Sequence, residues 1–225
     1  MSDIAGNIHF LKSQIPSSVK LVAVSKTKPV SDIIVAYNTG QRYFGENRVQ
    51  ELMDKKDLLP SDIEWHLIGH LQSNKVKYIV PFISMIQSVD SYNLLVKVNS
   101  EALKIKRVVD CLLQIHIATE ETKFGFSMQE LNENMKSENI SNLKNIRISG
   151  VMGMATFTCY KDQVKKEFGY LRDCFQSLKD NYFKSSDYFK EISMGMSGDY
   201  EIAVQEGSTM IRIGSLIFGE RQHQE

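Results

Sequence analysis

Eight short runs of β-branched and other apolar residues stand along this chain, and each of the first seven gives way to a longer stretch with helical spacing. No other feature of the sequence constrains the fold as strongly. The short runs fall at residues 21–25, 43–44, 64–68, 85–88, 111–116, 146–150, 191–194 and 210–213. Between them the pattern predicts helices from Pro29 to Gly40, at about 46–57, 74–80 and 91–108, from 127 onward, and at 161–181 and 199–205. Pro29 suits a first helical turn, and Gly40 stops the helix it opens. One more amphipathic stretch, residues 3–14, precedes the first strand.

Strand-then-helix units imply parallel strands joined by right-handed crossovers, and eight of them close into a barrel. The expected class is therefore α/β: a (β/α)8 TIM-type barrel with an extra N-terminal helix, one domain over residues 1–225. A chain of 225 residues, 42% hydrophobic, can bury one such core. An open doubly wound sheet is the alternative. It usually carries a glycine-rich turn after strand one, where this chain has Ser25-Lys26-Thr27-Lys28.

Charge and cysteine usage exclude several functions. Lys+Arg and Asp+Glu both number 27, so there is no net pull toward nucleic acid or an anionic membrane, and neither is expected as a partner. The basic cluster at Lys104, Lys106 and Arg107 reads as a solvated helix face. Cys111, Cys159 and Cys174 form no CxxC pair, which fits a reducing compartment and offers no zinc knuckle. The N-terminus lacks a basic-then-apolar leader, and the most apolar stretch, residues 78–86, is broken by Pro81. A soluble, cytoplasmic protein is expected, and with no obvious apolar patch, a monomer.

Barrel chemistry sits at the C-terminal ends of the strands. Lys26 ends an apolar run, where desolvation favours the neutral amine that can attack an aldehyde; a lysine snorkelling to the rim explains the position equally well. Met194-Gly195-Met196-Ser197-Gly198-Asp199-Tyr200 follows the seventh strand and Arg212-Ile213-Gly214-Ser215 ends the eighth. Loops there commonly hold phosphate, with glycine letting N–H groups approach and serine hydroxyls donating. Ser197 has a simpler reading as the N-cap of the next helix. Arg212 shares strand parity with Met210 and opposes Ile211 and Ile213, so it points into the lumen if those isoleucines pack outward. A ligand ring nitrogen or a buried carboxylate could be its partner. His66 and His70, four apart, would converge on a metal only in a helix, and this segment runs from strand to loop. Met152, Met154, Met194 and Met196 read as packing at the barrel mouth.

Extended segments carry a resemblance. They are Leu21 through Pro29, Phe44-Gly45-Glu46-Asn47-Arg48-Val49-Gln50-Glu51, residues 65–75, Lys123-Phe124-Gly125-Phe126, residues 150–155, residues 194–199, and Arg212-Ile213-Gly214-Ser215 with Phe218-Gly219. In this order they resemble the pyridoxal phosphate homeostasis family, the proline synthetase co-transcribed homologues. The resemblance implies an alanine racemase N-terminal-type barrel that holds pyridoxal 5′-phosphate (PLP) as a Schiff base on Lys26. It further implies that Ser197, Gly198, Gly214 and Ser215 hold the phosphate, that Arg212 faces the pyridine nitrogen, and that Asn47 and His66 lie near the ring. Relatives often carry threonine where this chain has Ser215, which keeps the hydroxyl. The implied role is control of free PLP, with PLP-dependent apo-enzymes as recipients and no established turnover.

Two other readings compete. A racemase or decarboxylase of the same lineage is one. The racemases draw a second base from a C-terminal β-domain, for which the dozen or so residues after Arg212 leave no room. The decarboxylases place a carboxylate at the pyridine nitrogen, where this chain offers Arg212. The other is a barrel enzyme acting on a phosphorylated metabolite without PLP, which would purify colourless.

Overall fold

The computed structural model describes residues 3–119, 124–136, 140 and 142–220. Lys123, at the start of one of the segments above, lies outside them. Eight strands close a barrel in sequence order: β1 (Lys20–Val24), β2 (Tyr43–Glu46), β3 (Glu64–Leu67), β4 (Met85–Val89), β5 (Val109–Gln114), β6 (Ile146–Met152), β7 (Glu191–Ser193) and β8 (Met210–Ile213). Every adjacent pair is parallel, and β8 closes on β1 through Lys20↔Met210 to Ala23↔Ile213. Helices α1 (Ile4–Gln14), α2 (Val30–Asn38), α3 (Val49–Lys56), α4 (Val76–Ile79), α5 (Tyr92–Lys104), α6 (Met128–Lys136), α7 (Lys161–Tyr182), α8 (Tyr200–Gln205) and α9 (Ser215–Phe218) accompany them. None of the described helices is long and apolar enough to cross a membrane.

Strand periodicity divides the core in two. Leu21, Ala23, Phe44, Trp65, Leu67, Ile86, Cys111, Leu113, Ile211 and Ile213 face the helices and join the main core. The alternate set, Val22, Met85, Leu112, Met152 and Met210, fills the barrel interior. Met152 is therefore lumen packing, Met154 packs against that set, and Met194 belongs to the outer core.

Several boundaries differ from expectation for local reasons. Glu46 ends a strand and does not begin a helix: its backbone carbonyl accepts the Ile68 N–H, 2.9 Å away, and α3 starts only at Val49. The helix expected at 74–80 is a 3-10 turn (Ser73–Lys75) running into one turn of α4, ahead of Pro81. α5 stops at Lys104, and Lys106 turns the chain at φ 54° so that β5 can begin at Val109. Arg107 is not simply a solvated charge, since its guanidinium donates to the carbonyls of Val80 and Ile83. The short α9 after β8 was not foreseen. Four residues carry too little periodicity to register.

Candidate functional site

A cavity of about 700 Å³ opens at the C-terminal ends of the strands. Of the predicted site residues, Lys26, Asn47, Ser197, Gly198, Arg212, Gly214 and Ser215 line it. His66 does not. It is buried inside the barrel, outside that lining.

Lys26 lies just past β1, half-buried, in a turn closed by the Lys28 N–H donating to the Ser25 carbonyl at 3.1 Å. Asn47 follows β2, and its placement depends on Gly69. A Cβ there would come within 2.5 Å of the Asn47 carbonyl oxygen, so only glycine lets the loop after β3 lie against it.

The loops after β7 and β8 meet. The Leu216 N–H reaches the Ser197 hydroxyl oxygen at 3.5 Å. Ser197 is therefore not the cap of α8, whose N-cap is Asp199. Gly195 and Gly198 are glycine for different reasons. Gly195 has φ 95°, and a Cβ there would strike the Ala203 Cβ at 2.6 Å. Gly198 faces nothing within 4 Å. Its missing side chain is open cavity, which is what close approach of an anion to the backbone requires. The missing Cβ of Gly214 would instead lie 3.4 Å from Val24.

Arg212 is 4% exposed and does point inward. Its guanidinium donates to the Ser193 hydroxyl (2.6 Å) and the Gly153 carbonyl (2.9 Å). No carboxylate pairs with it among the described residues, so the buried ion pair weighed from the sequence is not what holds it. Burial lowers its pKa to about 10, opposed by the charge of Asp199, and it stays cationic at neutral pH. The Ser193 hydroxyl in turn donates to the Gln87 side-chain carbonyl at 2.6 Å, and the Gln87 amide contacts His66 Nδ1 at 2.7 Å. Because the Gln87 oxygen is already taken by Ser193, its NH2 group donates and His66 Nδ1 accepts. His66 thus reaches Arg212 through two intervening side chains.

Burial, with a smaller contribution from Lys20, drives the His66 pKa down to about 3. The imidazole stays neutral when folded but takes up a proton near pH 6.5 when unfolded. The unfolded state therefore binds more protons between those values, and stability falls as pH drops through the window. From pH 7 to pH 5 this one group should cost about 2 kcal/mol. Denaturant titrations of the unmodified protein and of His66→Gln, which still offers Gln87 an acceptor, should differ by that pH-dependent amount.

His70 lies at the mouth, stacked on Phe124 with ring centroids 4.2 Å apart and with Nδ1 2.8 Å from Asp90. Among the described residues no group of three or more His, Cys, Asp and Glu could hold a metal. Glycines 69 and 195 were not singled out as site residues. A lone glycine gives no sign of which backbone it must pass.

The family described as alanine racemase, N-terminal domain, matches residues 1–222. A pyridoxal phosphate homeostasis protein of Aquifex aeolicus is 38% identical over 205 residues, covering 91% of this chain and 88% of its own. One from Synechocystis is 39% identical over 209 residues, covering 92% and 94%. PipY of Synechococcus elongatus, solved with PLP bound, superposes with a TM-score of 0.88 at 36% identity, covering 96% of this chain and all of that one. An alanine racemase of Clostridium difficile shares the fold at 13% identity and TM-score 0.73, with 57% of its chain covered.

Proposed function

The chain belongs to the alanine racemase N-terminal domain family and, within it, to the pyridoxal phosphate homeostasis proteins, and from that premise we propose that it binds PLP on Lys26 and serves intracellular vitamin B6 homeostasis without catalysing amino-acid chemistry. The observation that carries this reading is one cavity lined by a lysine amine, two hydroxyl-and-glycine loops and a buried arginine with neutral partners. These residues fit the cofactor. Gly198 leaves an open place for an anion, and the Ser197 hydroxyl already faces the N–H of the opposite loop.

Lys26 would attack the aldehyde carbon, water would leave, and a C=N bond would tie the ligand to the barrel. Ser197, Gly198, Gly214 and Ser215 would hold the phosphate, Asn47 would lie by the ring, and Arg212 would meet the pyridine nitrogen. When bound, PLP supplies an electron-withdrawing ring, which is strongest with its nitrogen protonated. Arg212 can only donate hydrogen bonds and carries a positive charge, so it favours the unprotonated nitrogen. That arrangement retains the cofactor while weakening it as an electron sink. His66, through Gln87 and Ser193, would hold the guanidinium in place. We take residues 1–225 as one PLP-binding unit, monomeric and cytoplasmic, on which PLP-dependent apo-enzymes draw.

The test is direct. Adding PLP to the purified protein should produce a new absorbance band that borohydride bleaches. L-alanine and L-serine should keep their chirality in its presence, as with free PLP and a lysine analogue. Racemisation on the order of one turnover per second would refute the carrier role, and no band at all would refute PLP binding.

A further inference from the structure

Behind the barrel wall, outside the cavity, lies a buried charged cluster that the proposed function does not use. Glu46 faces outward from the end of β2 and is fully buried. One of its carboxylate oxygens accepts from the Ser25 hydroxyl at 2.7 Å and from Lys55 Nζ at 2.8 Å. The other, Oε2, has no hydrogen-bond partner, and burial raises the carboxyl's pKa. Lys55 also donates to Glu51 at 2.6 Å and to the Ser25 backbone carbonyl at 2.9 Å. Glu51 in turn accepts the backbone N–H of Thr27.

These contacts converge on the two residues flanking Lys26. Thr27 has φ 64°, the left-handed region, which a β-branched residue rarely occupies. It is the third residue of the turn closed between Ser25 and Lys28, a position usually given to glycine or asparagine. A costly conformation persists only where its surroundings over-determine it. Here Glu51 holds the Thr27 N–H, Lys55 holds the Ser25 carbonyl, and Glu46 holds the Ser25 hydroxyl.

We propose that Lys55, Glu46 and Glu51 form a clamp that fixes the strained turn at residues 25–27 and thereby positions Lys26 for attachment of an aldehyde ligand. They are positioning residues, none of which lines the cavity. The proposal rests on Lys26 as the site of attachment, where an amine and an aldehyde give a C=N bond and water with no other reactant.

The experiment compares PLP with 4′-deoxypyridoxine 5′-phosphate, which keeps ring and phosphate but lacks the aldehyde. Glu51→Ala removes the Thr27 acceptor at an exposed edge and leaves the Lys55–Glu46 pair buried, so the barrel should fold. Its affinity for PLP should fall about tenfold, and its affinity for the aldehyde-free analogue should not change. Adding Thr27→Gly, which makes φ 64° comfortable, should restore PLP binding. A Glu51→Ala protein that holds PLP as well as the unmodified protein overturns the clamp. So does one that loses both ligands equally, or one that Thr27→Gly does not rescue. If the unmodified protein shows no adduct on Lys26, the attachment itself is wrong and the clamp falls with it. Adduct on Lys26 with an indifferent Glu51→Ala overturns the clamp alone.

Discussion

Gly198→Val should leave the barrel as stable as before and weaken PLP about a hundredfold, with little change for pyridoxal. The stability half follows from the open space at this position, where an added Cβ meets nothing within 4 Å. Substitutions that touch nothing usually change stability by less than about 0.5 kcal/mol. The binding half follows from the phosphate site proposed at this loop. A branched side chain there would hold a phosphate away from the backbone N–H groups and from Ser197 and Ser215. Hydrogen bonds to a charged group are each worth roughly 1.5–3 kcal/mol, so losing one or two costs about 3 kcal/mol. Calorimetric titration with both ligands checks it. Equal weakening of PLP and pyridoxal would move the phosphate elsewhere.

Three residues earlier the same kind of substitution should have the opposite outcome. Gly195→Ala should destabilise the protein by about 2–5 kcal/mol, whether or not PLP is present. Its φ of 95° is costly for any residue with a side chain, and the new Cβ would lie 2.6 Å from the Ala203 Cβ. The Gly195 carbonyl also accepts the Arg212 N–H at 2.9 Å, so a shift here disturbs the strand that carries the arginine. Thermal or denaturant unfolding without ligand reads this directly. An unchanged midpoint would mean that the loop can relax and that Gly195 serves the ligand instead.

The contrast between these glycines marks what sequence could reveal. The barrel was legible because each strand carries its own alternation. The outward isoleucines flanking Arg212 were enough to turn that side chain into the lumen. That the loops after β7 and β8 would meet at the cavity was legible, because a barrel gathers the C-terminal ends of its strands at one face. What the residues around Arg212 would be was not legible. Its partners, Ser193 and Gly153, come from the end of β7 and the loop after β6, and neither carries a charge to announce it. His66 is buried inside the barrel and is not among the residues that line the cavity; the two-residue period turns it inward without saying how far along the strand it sits from the cavity. Glu46 was read as the start of a helix. Its role appears only when Ser25, just past the neighbouring strand, and Lys55, on the helix that follows, are seen to meet it. The positive φ of Thr27 had no signal at all, because threonine is not the residue that such a turn advertises.

The account stands on attachment at Lys26. Three other lysines offer rivals: Lys28 and Lys161 also line the cavity, and Lys75 follows β3. Lys28 is already engaged with the carbonyls of Phe218 and Gly219 at the end of α9. Loading the protein with PLP, reducing with borohydride and mapping the modified peptide by mass spectrometry decides among them. The account predicts one modified residue, Lys26, and no modified peptide from Lys26→Ala. Adduct on Lys28, Lys75 or Lys161 in place of Lys26, or undiminished labelling of Lys26→Ala, would contradict it.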